Sequence, residues 1–238
     1  FGSNNAERGL LCVNHEYTTS ELMWPGMTED NAVEEMTRHR ADVEMAATGH
    51  SVVEIIRENG EWRVVPDGKY NRRISMLETE MKIAGPAAGH ERLKTSADPS
   101  GETVIGTMGN CAGGVTPWGT VLLAEENIDN YFDGHPEEGS TLERNLHAFN
   151  YDGDDSYGYA EFHERFDVTK EPHEMNRFGW VVEYDPVDPS WTPRKRTALG
   201  RFKHEGATPA MNADGRIVMY SGDDEVFEHL YRFVTRDE

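Results

Sequence analysis

Cys111 and the triplet Glu125-Glu126-Asn127 stand at the two ends of one segment, Asn110-Cys111-Ala112-Gly113-Gly114-Val115-Thr116-Pro117-Trp118-Gly119-Thr120-Val121-Leu122-Leu123-Ala124-Glu125-Glu126-Asn127. A thiolate is a soft ligand, whereas carboxylate and amide oxygens are hard ones. One structural unit that carries both suits a metal site with more than one kind of ion. Cys111 has three readings: a ligand, which would bind as the thiolate, a nucleophile, or a structural thiol. Gly113 and Gly114 either take positive backbone dihedrals or let another group approach closely. Glu125 and Glu126 follow four apolar residues and, on a strand, point to opposite sides. One can enter a site while the other supports a neighbour or meets water; an ordinary solvated pair is the competing reading.

Other polar groups also follow apolar runs. Asn14, His15 and Glu16 come after Leu10-Leu11-Cys12-Val13. The Asn and Glu oxygens suit calcium, and His15 can ligate a metal or donate to a phosphate; a turn or cap serves equally well. In Leu199-Gly200-Arg201-Phe202-Lys203-His204-Glu205-Gly206, a continuing strand would set Arg201 and Lys203 on one face and Phe202 and His204 on the other. Arg201 can fork onto two phosphate oxygens, with plain surface charge as the alternative. Asp223-Asp224 is a third acidic strand end. There is no Cys-x-x-Cys, Walker loop, dinucleotide fingerprint, His-Glu-x-x-His or Gly-x-Ser-x-Gly motif.

The elements that must position these groups are short strands. Leu10 to Val13, Ser51 to Arg57, Trp62 to Val65, Thr103 to Met108, Val121 to Ala124, Phe178 to Pro186, Thr197 to Arg201, Arg216 to Tyr220 and His229 to Val234 read as strands. Asn59-Gly60 favours a tight hairpin. Asn31 to Ala47 reads as a helix stopped by Gly49. Residues 130–172 read as long surface excursions with short helical pieces. The expected class is all-β, a propeller-like single unit over 1–238 with helical and loop insertions and no clear internal boundary; sandwich and barrel are the alternatives.

The chain has 238 residues, 44 acidic against 23 basic, and a formal charge of -21, a field that repels nucleic-acid backbones and anionic membranes. Divalent cations are the more natural partners. The nearest basic patch, Thr192-Pro193-Arg194-Lys195-Arg196, reads as a short exposed turn. An enzyme acting on an anion would have to overcome this charge locally with bound cations or pocket Arg and Lys. No apolar run approaches the roughly 18 residues of a membrane span. Cys12 and Cys111 can pair in a disulfide or stay free. The chain opens Phe1-Gly2-Ser3-Asn4-Asn5 without Met, so a missing signal says little about location.

Taken together, Arg8 to Gly26, Ala87-Ala88-Gly89-His90, Leu93 to Pro99, Asn110 to Asn127, Arg177 to Pro186, Lys195 to Ala207 and Tyr220 to Val234 resemble the PhoX family of bacterial alkaline phosphatases. The resemblance implies a six-bladed β-propeller and hydrolysis of phosphate monoesters by a mixed cluster of ferric iron, Fe(3+), and calcium, Ca(2+). It also implies folded export by the twin-arginine route to a periplasmic or extracellular location. By resemblance Cys111 is the thiolate on iron, and Glu126 and Glu205 are acidic ligands. Asn14 and Glu16 fall on the calcium side, Asp224 is a further acidic candidate, and His15, Arg201 and His204 are candidates for handling the phosphate. Full members are longer, so a further C-terminal segment beyond Thr235-Arg236-Asp237-Glu238 is expected to contribute ligands and phosphate-binding Arg. Two other functions stay open: a non-catalytic phosphate- or calcium-binding propeller fragment, and a related phosphodiesterase or phosphotriesterase.

Overall fold

A computed structural model describes residues 6–147 and 149–236. The chain start, Phe1 to Asn5, and the final Asp237-Glu238 lie outside the described residues. In order, the elements are β1 (Arg8–His15), α1 (Ser20–Met23), α2 (Arg38–Ala47), β2 (Gly49–Glu58), β3 (Glu61–Val64), β4 (Arg72–Ser75), β5 (Glu80–Ala84), β6 (Thr103–Ile105), β7 (Asn110–Val115), β8 (Val121–Glu125), α3 (Thr141–His147), β9 (Val181–Tyr184), β10 (Arg194–Arg196), β11 (Thr208–Met211), β12 (Ile217–Gly222) and β13 (Leu230–Val234). The described chain is mostly β with few helices.

These strands make three open sheets. β2 pairs with β1 on one edge and shares its other edge between β3 and β4. A six-stranded sheet runs β6-β5-β10-β9-β8-β7, antiparallel except where β10 meets β5. β11-β12-β13 form the third. Asn59 and Gly60 take φ of 54° and 85°, as the β2–β3 hairpin requires. No described helix is long and apolar enough to cross a membrane.

Four expectations need correcting. The helix anticipated from Asn31 starts at Arg38, because Thr37 caps it by accepting from the Arg40 N–H and the preceding residues form turns. The segment Thr197 to Arg201 is a 3-10 turn over Thr197–Leu199 followed by bends, so the face assignment of Arg201 to His204 does not apply. The basic patch is no exposed turn: it contains β10, inside the six-stranded sheet, with Lys195 wholly buried against Glu125. Arg196 pairs with Glu183 at 2.5 Å, and Arg194 lies over the Trp191 ring. Finally, residues 130–172 carry the expected short helical pieces, α3 and a 3-10 turn over Glu164–Phe166, but they are not all surface. Tyr131, Phe132, Leu146, Tyr159, Phe166 and Val168 are buried in the main core, and Phe132 meets Phe166 edge to face at 5.3 Å.

If this irregular stretch is core, Phe166→Ala should cost about 3–5 kcal/mol of stability, the usual penalty for an aromatic cavity. Urea unfolding measures it, and a loss within experimental scatter would return the segment to the surface.

Candidate metal centre

Each candidate ligand lies at or near a strand end. Glu16 lies one residue beyond β1. Tyr131 donates its O–H to the Glu16 carbonyl at 3.2 Å. The segment after Glu16 is tied to the buried Glu44 carboxylate, which accepts from Thr18, Ser20 and Trp24 and from Tyr159. Cys111 sits in a β-bulge: Asn110 pairs with Glu125, but Gly113 pairs with Leu123, so β7 holds one extra residue there. A bulge re-aims the side chain it carries. The two glycines after it serve close approach rather than positive φ. A Cβ on Gly113 would stand 2.1 Å from the Leu122 carbonyl oxygen, and one on Gly114 2.1 Å from that of Ala207. Glu126 follows β8, its N–H donating to the Gly109 carbonyl at 2.8 Å. The Glu205 carbonyl accepts from the Ala112 N–H at 2.9 Å, and the Asp224 N–H donates to the Lys203 carbonyl at 3.0 Å. Main-chain bonds thus stitch distant segments around one point.

At that point Glu16, Cys111 and Glu126 each offer a ligand atom, all within 4.8 Å of one another. Asp224 hydrogen-bonds the Glu126 carboxyl, and Glu205 adds its charge to both Glu126 and Cys111. Burial, then the negative charge of Glu126, Glu16 and Glu205, pushes the Cys111 thiol up to about 11. Burial, then the hydrogen bond and charge of Asp224, followed by Glu16 and Glu205, raises Glu126 to about 7. A thiol and a carboxyl whose ionisation is opposed by the acids around them favour a cation, and this donor set of one sulfur and several oxygens fits a transition ion beside a harder one. Both cysteines are free, so the Cys111 sulfur is not held in a disulfide.

Asn14 takes a supporting place. Its Nδ2 donates to the carbonyls of Cys111 at 2.8 Å and Ala112 at 3.1 Å, and its Oδ1 lies 2.7 Å from His50 Nδ1. Burial, with His15 and Arg73 nearby, lowers His50 to about 3, so the ring is neutral. Nδ1–H then donates to Asn14 while Nε2 accepts from the Tyr184 hydroxyl at 2.6 Å. Both amide atoms of Asn14 are therefore engaged, the nitrogen on the bulge and the oxygen on His50.

The three residues anticipated for phosphate handling hydrogen-bond to partners outside the cluster. His15, next along β1, turns to Ser51 Oγ at 2.9 Å, beside Arg73. Arg201 donates to the carbonyls of Phe178 and Met175, with Phe149 under its guanidinium. His204 is fully buried, hydrogen-bonded to Ser221 Oγ and the Gly200 carbonyl, and burial lowers it to about 4. A recess of about 990 Å³, lined by Arg8, Glu54, Lys69, Tyr70, Trp118 and Asp185 among others, shares no residue with the cluster. Sequence reasoning missed His50, Thr107 and Lys195; the apolar neighbours of His50 in Gly49-His50-Ser51-Val52-Val53 were the one signal for a buried histidine.

Fold and site together define a mostly β protein with a thiol–carboxylate centre built at strand ends. The chain matches the family model described as alkaline phosphatase PhoX over residues 1–238, and it belongs to that family. Among solved structures it is similar to Pseudomonas fluorescens PhoX in complex with vanadate, a transition-state analogue, with 43% identity and a TM-score of 0.89. The similarity covers 99% of this chain and 40% of that one. Comparison with curated proteins gave no match.

The raised Glu126 carboxyl sets a pH dependence. A group whose folded pKa exceeds its unfolded value contributes stability that is present below the unfolded pKa and lost as pH rises through the folded one. Glu126 should therefore contribute stability to the metal-free protein that is lost between about pH 4.5 and a little above 7, opposite in sign to the buried His50 and His204, so the stability of wild type relative to Glu126→Gln should fall across that window. Thermal melts of both proteins in a chelator across this range test it; a difference between wild type and Glu126→Gln that is flat or rises over the window contradicts the site geometry.

Proposed function

We propose that the protein hydrolyses phosphate monoesters at a mixed cluster of Fe(3+) and Ca(2+) held by Cys111, Glu16 and Glu126, with Glu205 and Asp224 completing the acidic side. The observation that carries this reading is the convergence of one thiol and two carboxyls within 4.8 Å in a member of the PhoX family. The similar Pseudomonas fluorescens PhoX was solved with vanadate, a transition-state analogue, which supports phosphoryl chemistry at the corresponding site. When bound, the ions would polarise the phosphate and offset charge on the transferring group.

The residues of this chain supply the frame. Cys111 acts as a ligand rather than a nucleophile: its thiol, pushed up to about 11, is a poor thiolate unless a cation stands beside it. The bulge and the Asn14 amide fix its direction. Glu126 accepts a cation at the cost of a proton, so loading the site releases protons near neutral pH. The three open sheets are read as part of a six-bladed propeller, and the working location as periplasmic or extracellular, both by analogy with the family.

A second reading has one observation behind it. Arg201, His15 and His204, the residues anticipated for handling phosphate, are turned to other partners. A phosphate- or calcium-binding unit without turnover fits that pattern.

Cys111→Ala should lower turnover of p-nitrophenyl phosphate by about 10²-fold or more, since several kcal/mol of charge stabilisation go with the metal, and should release iron measured by elemental analysis. A metal-replete wild type that binds phosphate but shows no turnover favours the second reading. Unchanged activity in Cys111→Ala rejects the cluster.

A further inference from the structure

Directly behind the two central ligands lies a buried polar strut. Asn110 and Glu125, the residues preceding Cys111 and Glu126, face each other across β7 and β8, and both are wholly buried. Thr107, equally buried, donates its hydroxyl towards Asn110 Oδ1 and Glu125 Oε1, each at 2.8 Å, one hydrogen shared between two acceptors. Lys195 reaches in from β10 and donates to Glu125 Oε1 at 2.7 Å, with its ammonium 3.7 Å above the centre of the Phe178 ring. The Trp180 N–H occupies Glu125 Oε2 at 3.1 Å. The side chains of Lys195 and Glu125 have no exposed surface.

A salt bridge buried this completely is a weak source of stability, because desolvating both charges offsets most of their attraction. Its geometric consequence is firmer. The pair holds the end of β8 against β10, and Thr107 passes that constraint to β7 through Asn110. Asn110 and Glu125 are the chain neighbours of Cys111, on the bulge, and Glu126, just past β8, so fixing the first two limits where the second two can stand. A metal site tolerates only about 0.5 Å of ligand displacement.

We propose that Lys195, Glu125, Thr107 and Asn110 are positioning residues that set the separation between the Cys111 sulfur and the Glu126 carboxylate. This rests on the metal-centre reading above. None of the four is offered as touching metal or substrate.

The test uses cobalt(II) as probe, since a thiolate ligand gives it a near-ultraviolet charge-transfer band. Wild-type protein should show that band, and Cys111→Ala should lack it; a wild type without it would fail the metal-centre reading itself, independently of the strut. Thr107→Val removes the hydroxyl while keeping the shape. It should weaken cobalt affinity about tenfold, the usual cost of losing a residue that orients a ligand, and shift the band, with the far-ultraviolet circular dichroism unchanged. Thr107→Ser, which restores the hydroxyl, should recover both. The paired change Lys195→Met with Glu125→Gln leaves no unpaired buried charge and should show the same weakening if Thr107→Val does not fold. Wild-type affinity and an unshifted band in either folded variant would overturn the proposal.

Discussion

Like charges brought close together in a partly dry setting do not all ionise, and this constraint shapes the molecule around Cys111. Glu16, Cys111 and Glu126 converge within 4.8 Å, with Asp224 hydrogen-bonded to Glu126. The arrangement is costly for the metal-free chain and favourable once a cation is present. The surroundings are built to hold the acids there regardless. The Glu44 carboxylate ties down the residues after Glu16, the bulge and the Asn14 amide hold Cys111, and the Gly109 carbonyl receives the Glu126 N–H.

The polar interior is arranged in two layers. The outer one meets the proposed ions, and the inner one, made of His50, Tyr184, Thr107, Asn110, Glu125 and Lys195, is satisfied by its own hydrogen bonds. The division places Asn110 and Glu125 directly beside two of the proposed ligands in the chain. It also explains why a chain of formal charge -21 keeps a wholly buried lysine. That ammonium neutralises Glu125, so the negative field at the centre comes from the residues that face it.

Much of the site was legible in the sequence, since soft and hard donors followed apolar runs and the Glu125-Glu126 pair had to split between two sides. Glu125 does turn inward and Glu126 towards Cys111. The uses of Asn14, His15, Arg201 and His204 were not legible, because each is decided by a partner that only folding brings near: His50, Ser51, the Phe178 carbonyl and Ser221. Most strands were readable from apolar runs bounded by turns. β10 was not: Arg-Lys-Arg has no strand signature, and its partner Glu125 lies 70 residues away. The buried part of residues 130–172 was misread for a related reason. Their apolar residues have neither helical nor strand spacing, yet irregular chain can carry Phe132 and Phe166 into a core.

The proposed cluster requires sulfur in the coordination sphere of its transition ion. X-ray absorption at the iron edge of the purified, iron-loaded protein measures this directly. One sulfur scatterer at about 2.3 Å, the usual metal–thiolate distance, that disappears in Cys111→Ser is the predicted result. A shell of oxygen and nitrogen alone in the wild type would contradict it.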